Sequence, residues 1–338
     1  MSKIGILWIN LGTPDAPSRP AVRRYLREFL SDPLVIDVPW LVRMLLVYGV
    51  ILPFRPAKTA QAYQAIWTER GSPLLAFSQD FLAMMQSKLP APMEHALGMR
   101  YGNPSLSDGV DQLLHAGCRK IIAMVMFPQY ATAASGSAIK KLQAVLAKKN
   151  KDVELVIHDR FYNDPGYIAA LSEQVARYQQ LFRPDYILWS YHGLPQRQLD
   201  RAGCDASLCD RKSSCLTQAA DKACYRAQCF YTTELAAKQL ALAQERYATV
   251  FQSRLGRTPW IEPYTDQSLD QLRAQGIQRL MVVCPSFVVD CLETLEEVGM
   301  QLRERWLEKG GADFCLVPCL NTSERWLAAA TKMVRANL

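Results

Sequence analysis

Two periodicities alternate along the chain. Short, nearly continuous apolar runs occur at Gly5–Leu11, Ala96–Met99, Ile121–Phe127, Tyr186–Trp189, Ala248–Ser253 and Leu280–Cys284. Between them lie stretches in which apolar residues recur every three or four positions. These predict helices over Pro20–Leu30, Thr59–Trp67, Phe77–Leu89, Ser105–His115 and Thr232–Gln244, with Gly117 as a stop after the fourth. Strands that are apolar on both faces, alternating with helices, predict an α/β fold with parallel sheets covered on both sides.

The pattern starts again half-way. Ile6-Leu7-Trp8 followed by Gly12 and Pro14 matches Ile187-Leu188-Trp189 followed by Gly193 and Pro195 at one constant offset. Gly117-Cys118-Arg119-Lys120 before a strand and Pro128 resembles Gly276-Ile277-Gln278-Arg279 before a strand and Pro285. We expect two similar halves, 1–160 and 161–338, facing each other across a cleft. Leu11 in the first half stands where His192 stands in the second, so the ionisable chemistry is expected in the second half.

One apolar stretch breaks the grammar. Residues 34–54 are greasy but interrupted by Asp37, Pro39 and Arg43. A spanning helix needs roughly 20 uninterrupted apolar residues, so a transmembrane segment is not expected. A buried helix or an exposed apolar lip for a greasy ligand or membrane surface would each account for it.

The candidate chemistry sits at strand ends. Ser190-Tyr191-His192-Gly193-Leu194-Pro195 follows a buried strand, and ligands bind at the carboxyl edge of open α/β sheets. His192 can take up a proton or ligate a metal there. After the strand ending at Cys284, Asp290, Glu293 and Glu297 are spaced to share one helix face. Phe287, Val288 and Val289 make their approach apolar. A histidine and a carboxylate across an apolar cleft suit proton abstraction, metal handling, or both. His95, His115 and His158 lie in ordinary surroundings and read as core or surface residues. GxGxxG, P-loop, HExxH and GxSxG motifs are absent, which argues against nucleotide hydrolysis, zinc proteolysis and esterase chemistry.

Composition narrows this further. A net charge of +7 without a basic, aromatic-interleaved stripe disfavours nucleic acid and fits acidic small molecules or an anionic membrane face. The first residues run straight into a strand without a signal-peptide pattern, so a cytoplasmic protein is expected. There, ten cysteines point to thiols or metal ligands rather than disulfides. Cys118, Cys284, Cys315 and Cys319 read as core thiols. Cys204, Cys209, Cys215, Cys224 and Cys229 crowd one polar segment, about 198–230, read as a long loop. Four of these five could ligate a [2Fe–2S] cluster, with structural zinc or redox-active thiols as the alternatives.

Taken together, Asn10-Leu11-Gly12-Thr13-Pro14, Arg100-Tyr101, Pro128-Gln129-Tyr130, Ser190 to Pro195, Pro259-Trp260 and Asp290 to Leu295 resemble ferrochelatases, in order and over nearly the whole chain. The resemblance implies two Rossmann-like domains with a porphyrin cleft between them. It implies Fe(II) insertion into protoporphyrin IX, the last step of haem synthesis, with loss of two pyrrole protons. A chelatase for another metal or for coproporphyrin, and a non-catalytic porphyrin or haem carrier, are the competing readings.

Carried over by position, His192 and Glu293 become the catalytic pair and the site that handles the Fe(II) substrate. Glu297 continues a polar row, and Gln301 stands where that row often ends in a carboxylate. Cys291 stands where many relatives have a second histidine. Leu11, Arg55, Tyr63, Ser72, Arg100, Tyr101 and Trp260 match positions that line or frame the porphyrin pocket. The segment around 34–54 corresponds to the family's lip, which implies a peripheral contact with the inner face of the membrane. Some relatives hold a [2Fe–2S] cluster in a C-terminal extension. The five cysteines here look like an independent way of holding one.

Overall fold

Strand pairing follows the apolar runs. The computed structural model describes residues 3–149, 152–201, 224–254, 256 and 258–338. Among them, β1 (Ile4–Thr13), β2 (Met93–Gly102), β3 (Lys120–Val125) and β4 (Glu154–His158) form one parallel sheet in the order β2-β1-β3-β4. A second sheet holds β5 (Tyr186–His192), β6 (Tyr247–Gln252), β7 (Arg279–Val283) and β8 (Asp313–Leu316) in the order β6-β5-β7-β8. The two sheets have the same topology, as the internal repeat suggested, with β1 and β5 in equivalent places. The chain divides into two units: residues 1–127, 131–160 and 327–338, and residues 128–130 with 161–326. Residues 327–338, reckoned with the second half from sequence, therefore group with the first unit.

In each unit the core lies between sheet and helices. Leu7, Ile9, Ile121, Ala123 and Val125 pack on Leu106, Val110, Leu113 and Leu142 in the first. Leu188, Val250, Leu280 and Val282 pack on Leu269, Val298, Leu302 and Trp306 in the second. Full burial of one such side chain stabilises the fold by about 1.5–3 kcal/mol.

The greasy segment departs from expectation. Asp37 and Pro39 lie before the helical stretch Trp40–Ile66, and that stretch runs on through Pro53 and Pro56. Arg43 does not interrupt it, because its buried side chain donates back to the carbonyls of Ile36 and Val38. A π-helical turn over Leu45–Ile51 precedes the prolines. Such a turn frees carbonyls from the usual ladder and so accommodates residues that lack an N–H. The helix predicted over Thr59–Trp67 is the end of this longer one. By length and composition the whole stretch could cross a membrane, contrary to the expectation from its interruptions. Its inner face is buried at Val47, Ile51, Leu52, Pro56, Ala60 and Tyr63. The other face exposes Trp40, Leu41, Leu45, Tyr48, Val50 and Phe54, with Phe54 76% accessible. The segment is therefore an exposed lip on one side and a packed helix on the other.

Asp32, between the first helix and this lip, ties the unit together. Its carboxylate accepts from the Arg100 guanidinium, from Tyr101 Oη at 2.9 Å, from Ser137 Oγ at 2.5 Å and from the Leu34 amide at 2.8 Å. Burial opposes ionisation, but the hydrogen bonds from Ser137, Leu34 and Tyr101 and the charge of Arg100 outweigh it, so the carboxyl is held below its usual value. A depressed carboxylate stabilises the fold fully above the unfolded value of roughly 3.9 and loses that contribution as pH falls through the folded value. Asp32→Asn is expected to lower stability by about 1–2 kcal/mol at pH 7, allowing for partial screening. In urea titrations the deficit should shrink below about pH 4. A deficit independent of pH would show that the charge of Asp32 is not what matters.

Candidate active site

Strand β5 delivers His192 to the carboxyl edge of its sheet, and three contacts hold the turn that follows. The His192 amide donates to Ser286 Oγ at 3.3 Å, and Tyr225 Oη donates to the His192 carbonyl at 2.7 Å. The Gly193 amide donates to the Gln252 carbonyl at 2.8 Å. Glycine is required at 193 by space: a Cβ would stand 2.7 Å from that same carbonyl and 3.3 Å from the Trp260 ring. Trp260 itself is fixed by an antiparallel bridge to Pro195.

The ring of His192 has a defined polarity. Its Nδ1 lies 2.6 Å from the Gly193 carbonyl, which can only accept. Nδ1 therefore carries the proton, and Nε2 keeps its lone pair for a proton or a metal. Phe287 meets the imidazole edge-on at 6.4 Å between centroids. Val288 and Val289, on the same approach, are buried.

The acidic row divides into two functions. Asp290 is 3% exposed and accepts from Thr294 Oγ1, from the Cys319 amide and from Asn321 Nδ2, which makes it an anchor for the following helix. Glu293 and Glu297 are partly exposed on the π-helical segment Glu293–Leu302. Glu297 accepts from Ser253 Oγ, and the Glu293 carbonyl accepts from Gln252 Nε2 at 2.9 Å. Gln301 does not extend this row, because its amide donates to both Glu296 oxygens at 2.8 Å. Among the described residues, no three His, Cys, Asp or Glu side chains converge as a metal-holding group, so His192, Glu293 and Glu297 form no closed cage.

Buried thiols surround this helix start. Burial pushes the Cys284, Cys291 and Cys319 thiols up, and Asp290 adds to the shift in each. For Cys291 the neighbouring Glu293 carboxylate is the largest push after burial. Cys229 does not belong to a loop as expected. The helix predicted from Thr232 spans Tyr225–Gln239, and Cys229 is fully buried inside it with its thiol driven up by burial. Cys224 occupies the N-cap position of that helix without a side-chain capping bond. Cys204, Cys209 and Cys215 lie outside the described residues.

The first-unit residues carried over from the family differ in availability. Leu11 is half-buried near the end of β1, and Arg55 is exposed on the lip helix. Tyr63 and Ser72 are buried, with Ser72 Oγ accepting from Thr13 Oγ1 at 2.8 Å. Arg100 and Tyr101 are committed to Asp32. Burial pushes the Tyr101 hydroxyl far up, although the neighbouring Arg100 charge opposes this. A cavity of about 840 Å³ in this unit is lined by Arg100 and by the exposed Arg24, Arg27, Lys140 and Lys141. Gly12 at φ +108° closes β1 onto β2, where any Cβ would strike the Tyr101 carbonyl.

Comparison with known proteins bears on this arrangement. The ferrochelatase family model matches residues 3–338. A ferrochelatase of Coxiella burnetii is 49% identical over 338 residues, covering 100% of this chain and 94% of the relative. A ferrochelatase of Legionella pneumophila is 46% identical over 334 residues, covering 99% of each chain. The chain belongs to the ferrochelatase family. As a ferrochelatase it is a lyase, a porphyrin metal chelatase that inserts Fe(II) into protoporphyrin IX to give protohaem, the final step of haem biosynthesis. The sirohydrochlorin chelatase SirB of Bacillus subtilis subspecies spizizenii, solved with cobalt, shares the fold at a TM-score of 0.57 and 9% identity, covering 99% of this chain and 95% of that one.

Ser286, Tyr225, Gln252 and Ser253 were not found by sequence reasoning. None carries a motif of its own: Gln252 and Ser253 come to the site through the pairing of β5 with β6, Ser286 and Tyr225 through their contacts with the main chain of His192.

Proposed function

We propose that His192 and Glu293 carry the ferrochelatase reaction of this chain. What supports this most is the polarity of His192: with Nδ1–H spent on the Gly193 carbonyl, Nε2 is a free base at a rigid strand end. Two pyrrole N–H protons must leave as Fe(II) enters, and the flat macrocycle must bend to admit it, at the expense of binding energy. His192 Nε2 takes the two pyrrole protons one at a time and passes each to water. Glu293 handles the iron, and Glu297 continues the path for protons or metal. Leu11, Arg55, Tyr63, Ser72, Arg100, Tyr101 and Trp260 frame the porphyrin. Of these two arginines, Arg55 is exposed and available to a propionate, while Arg100 is already paired with Asp32.

The lip is proposed to dock on a membrane from the cytoplasmic side. One face of Trp40–Ile66 is packed on its own unit, which favours lying in the interface over spanning. The cysteine segment is proposed to hold a [2Fe–2S] cluster, which would supply a redox-active centre. Any four of the five cysteines must include Cys224 or Cys229. Cys229 fits poorly, as a buried neutral thiol within a helix. Cys224 sits at that helix's N-terminus, where the backbone dipole favours an anionic ligand. The ligands are then Cys204, Cys209, Cys215 and Cys224.

His192→Ala is expected to abolish haem formation in an anaerobic Fe(II) and protoporphyrin assay while porphyrin binding, read by fluorescence quenching, persists. Loss of both together would remove the catalytic role. Replacing Leu41, Leu45 and Phe54 by serine should weaken co-sedimentation with anionic phospholipid vesicles by roughly tenfold or more; unchanged binding contradicts the lip reading. Purified protein should be reddish-brown, and the colour and its iron should be lost in Cys224→Ser but kept in Cys229→Ser. A colourless protein carrying stoichiometric zinc overturns the cluster.

A further inference from the structure

Gln252 ends β6 as the register partner of His192, and it is 8% exposed. Its main chain and its side chain face different halves of the candidate site. The carbonyl receives the Gly193 amide at 2.8 Å, which fixes the turn just after His192. The side-chain Nε2 donates to the Glu293 carbonyl at 2.9 Å, which fixes the first residue of the π-helical segment. The side-chain Oε1 accepts from Ser190 Oγ at 2.7 Å and from the Cys284 thiol at 3.7 Å. Ser190 in turn pairs with Thr265 Oγ1 at 2.9 Å. The next residue, Ser253, sits at φ +65° and gives its hydroxyl to Glu297.

We propose that Gln252 is a positioning residue for the chelation step, setting the placement of Glu293 relative to His192. This rests on the reading of those two residues as the reacting pair. The chemistry required is that of a primary amide. The side chain must donate on one side and accept on the other at the same time, with fixed length and no charge. Methionine of similar size does neither well. Ionised glutamate accepts from Ser190 but cannot donate to the Glu293 carbonyl. Ordering Gln252 this way also engages both polar atoms of a buried side chain.

The test compares Gln252→Met and Gln252→Glu with the native chain, with His192→Ala alongside. Porphyrin quenching counts folded, binding-competent sites, and thermal melting reports stability. Both Gln252 variants are expected to bind porphyrin with Kd within about threefold of native, while kcat per binding site falls roughly 10- to 100-fold, the usual effect of an outer partner of a metal ligand. The rate with Zn(II) relative to Fe(II) should change as well, since a displaced carboxylate affects metals unequally. A purely structural role would lower the number of competent sites and leave kcat per site and the metal ratio unchanged; that result overturns the proposal. If Gln252→Met does not fold, Ser190→Ala removes the closer of the two donors to Oε1 and should still lower kcat per site several-fold; no change there also overturns it. Activity retained in His192→Ala would bring down the underlying reading, whereas activity lost in His192→Ala but kept in both Gln252 variants would bring down only the role of Gln252.

Discussion

The parallel pairing of β5 with β6 is the constraint on which the site depends. The two strands end together at His192 and Gln252, so the hydrogen-bond ladder that builds the sheet also sets where the imidazole stands. Beyond that edge the ladder is replaced by single, specific bonds: Gly193 to the Gln252 carbonyl, Gln252 to the Glu293 carbonyl, Ser253 to Glu297. Each is worth only about 1 kcal/mol net. Their effect is geometric, because they leave one base and one carboxylate on elements that cannot drift independently.

The same economy runs through the thiols and acids beneath the site. Asp290 is saturated by Thr294, Cys319 and Asn321 and anchors the helix rather than reacting. Burial keeps Cys284, Cys291 and Cys319 protonated. The floor thus carries one fixed carboxylate and a layer of neutral thiols, while the groups left partly exposed are His192, Glu293 and Glu297.

Much of this was legible in the residues. Apolar strands on a parallel-sheet grammar, a repeated strand–Gly–Pro pattern and a histidine at a strand end led to both sheets and to His192. What escaped had physical reasons. Residues 34–54 looked broken because Asp37, Pro39 and Arg43 interrupt the apolar run, whereas Asp37 and Pro39 lie before the helix and Arg43 bonds back to the carbonyls that precede it. Cys229 looked like a loop ligand because its neighbours are polar, yet the helix starts at Tyr225 and turns the thiol inward. Gln301 had the spacing to continue the acidic row, but Glu296 captures its amide. Gln252 was invisible because its importance lies in partners 41 and 62 residues distant in the chain.

The most direct test of the account is the coupling between His192 and Glu293 in kcat. In the proposed reaction the two residues act as one unit on the same porphyrin, so His192→Ala, Glu293→Gln and the double variant should show similar losses, far from additive, as groups acting together do. Losses that add in free energy would mean that the two residues act independently and would contradict the shared site.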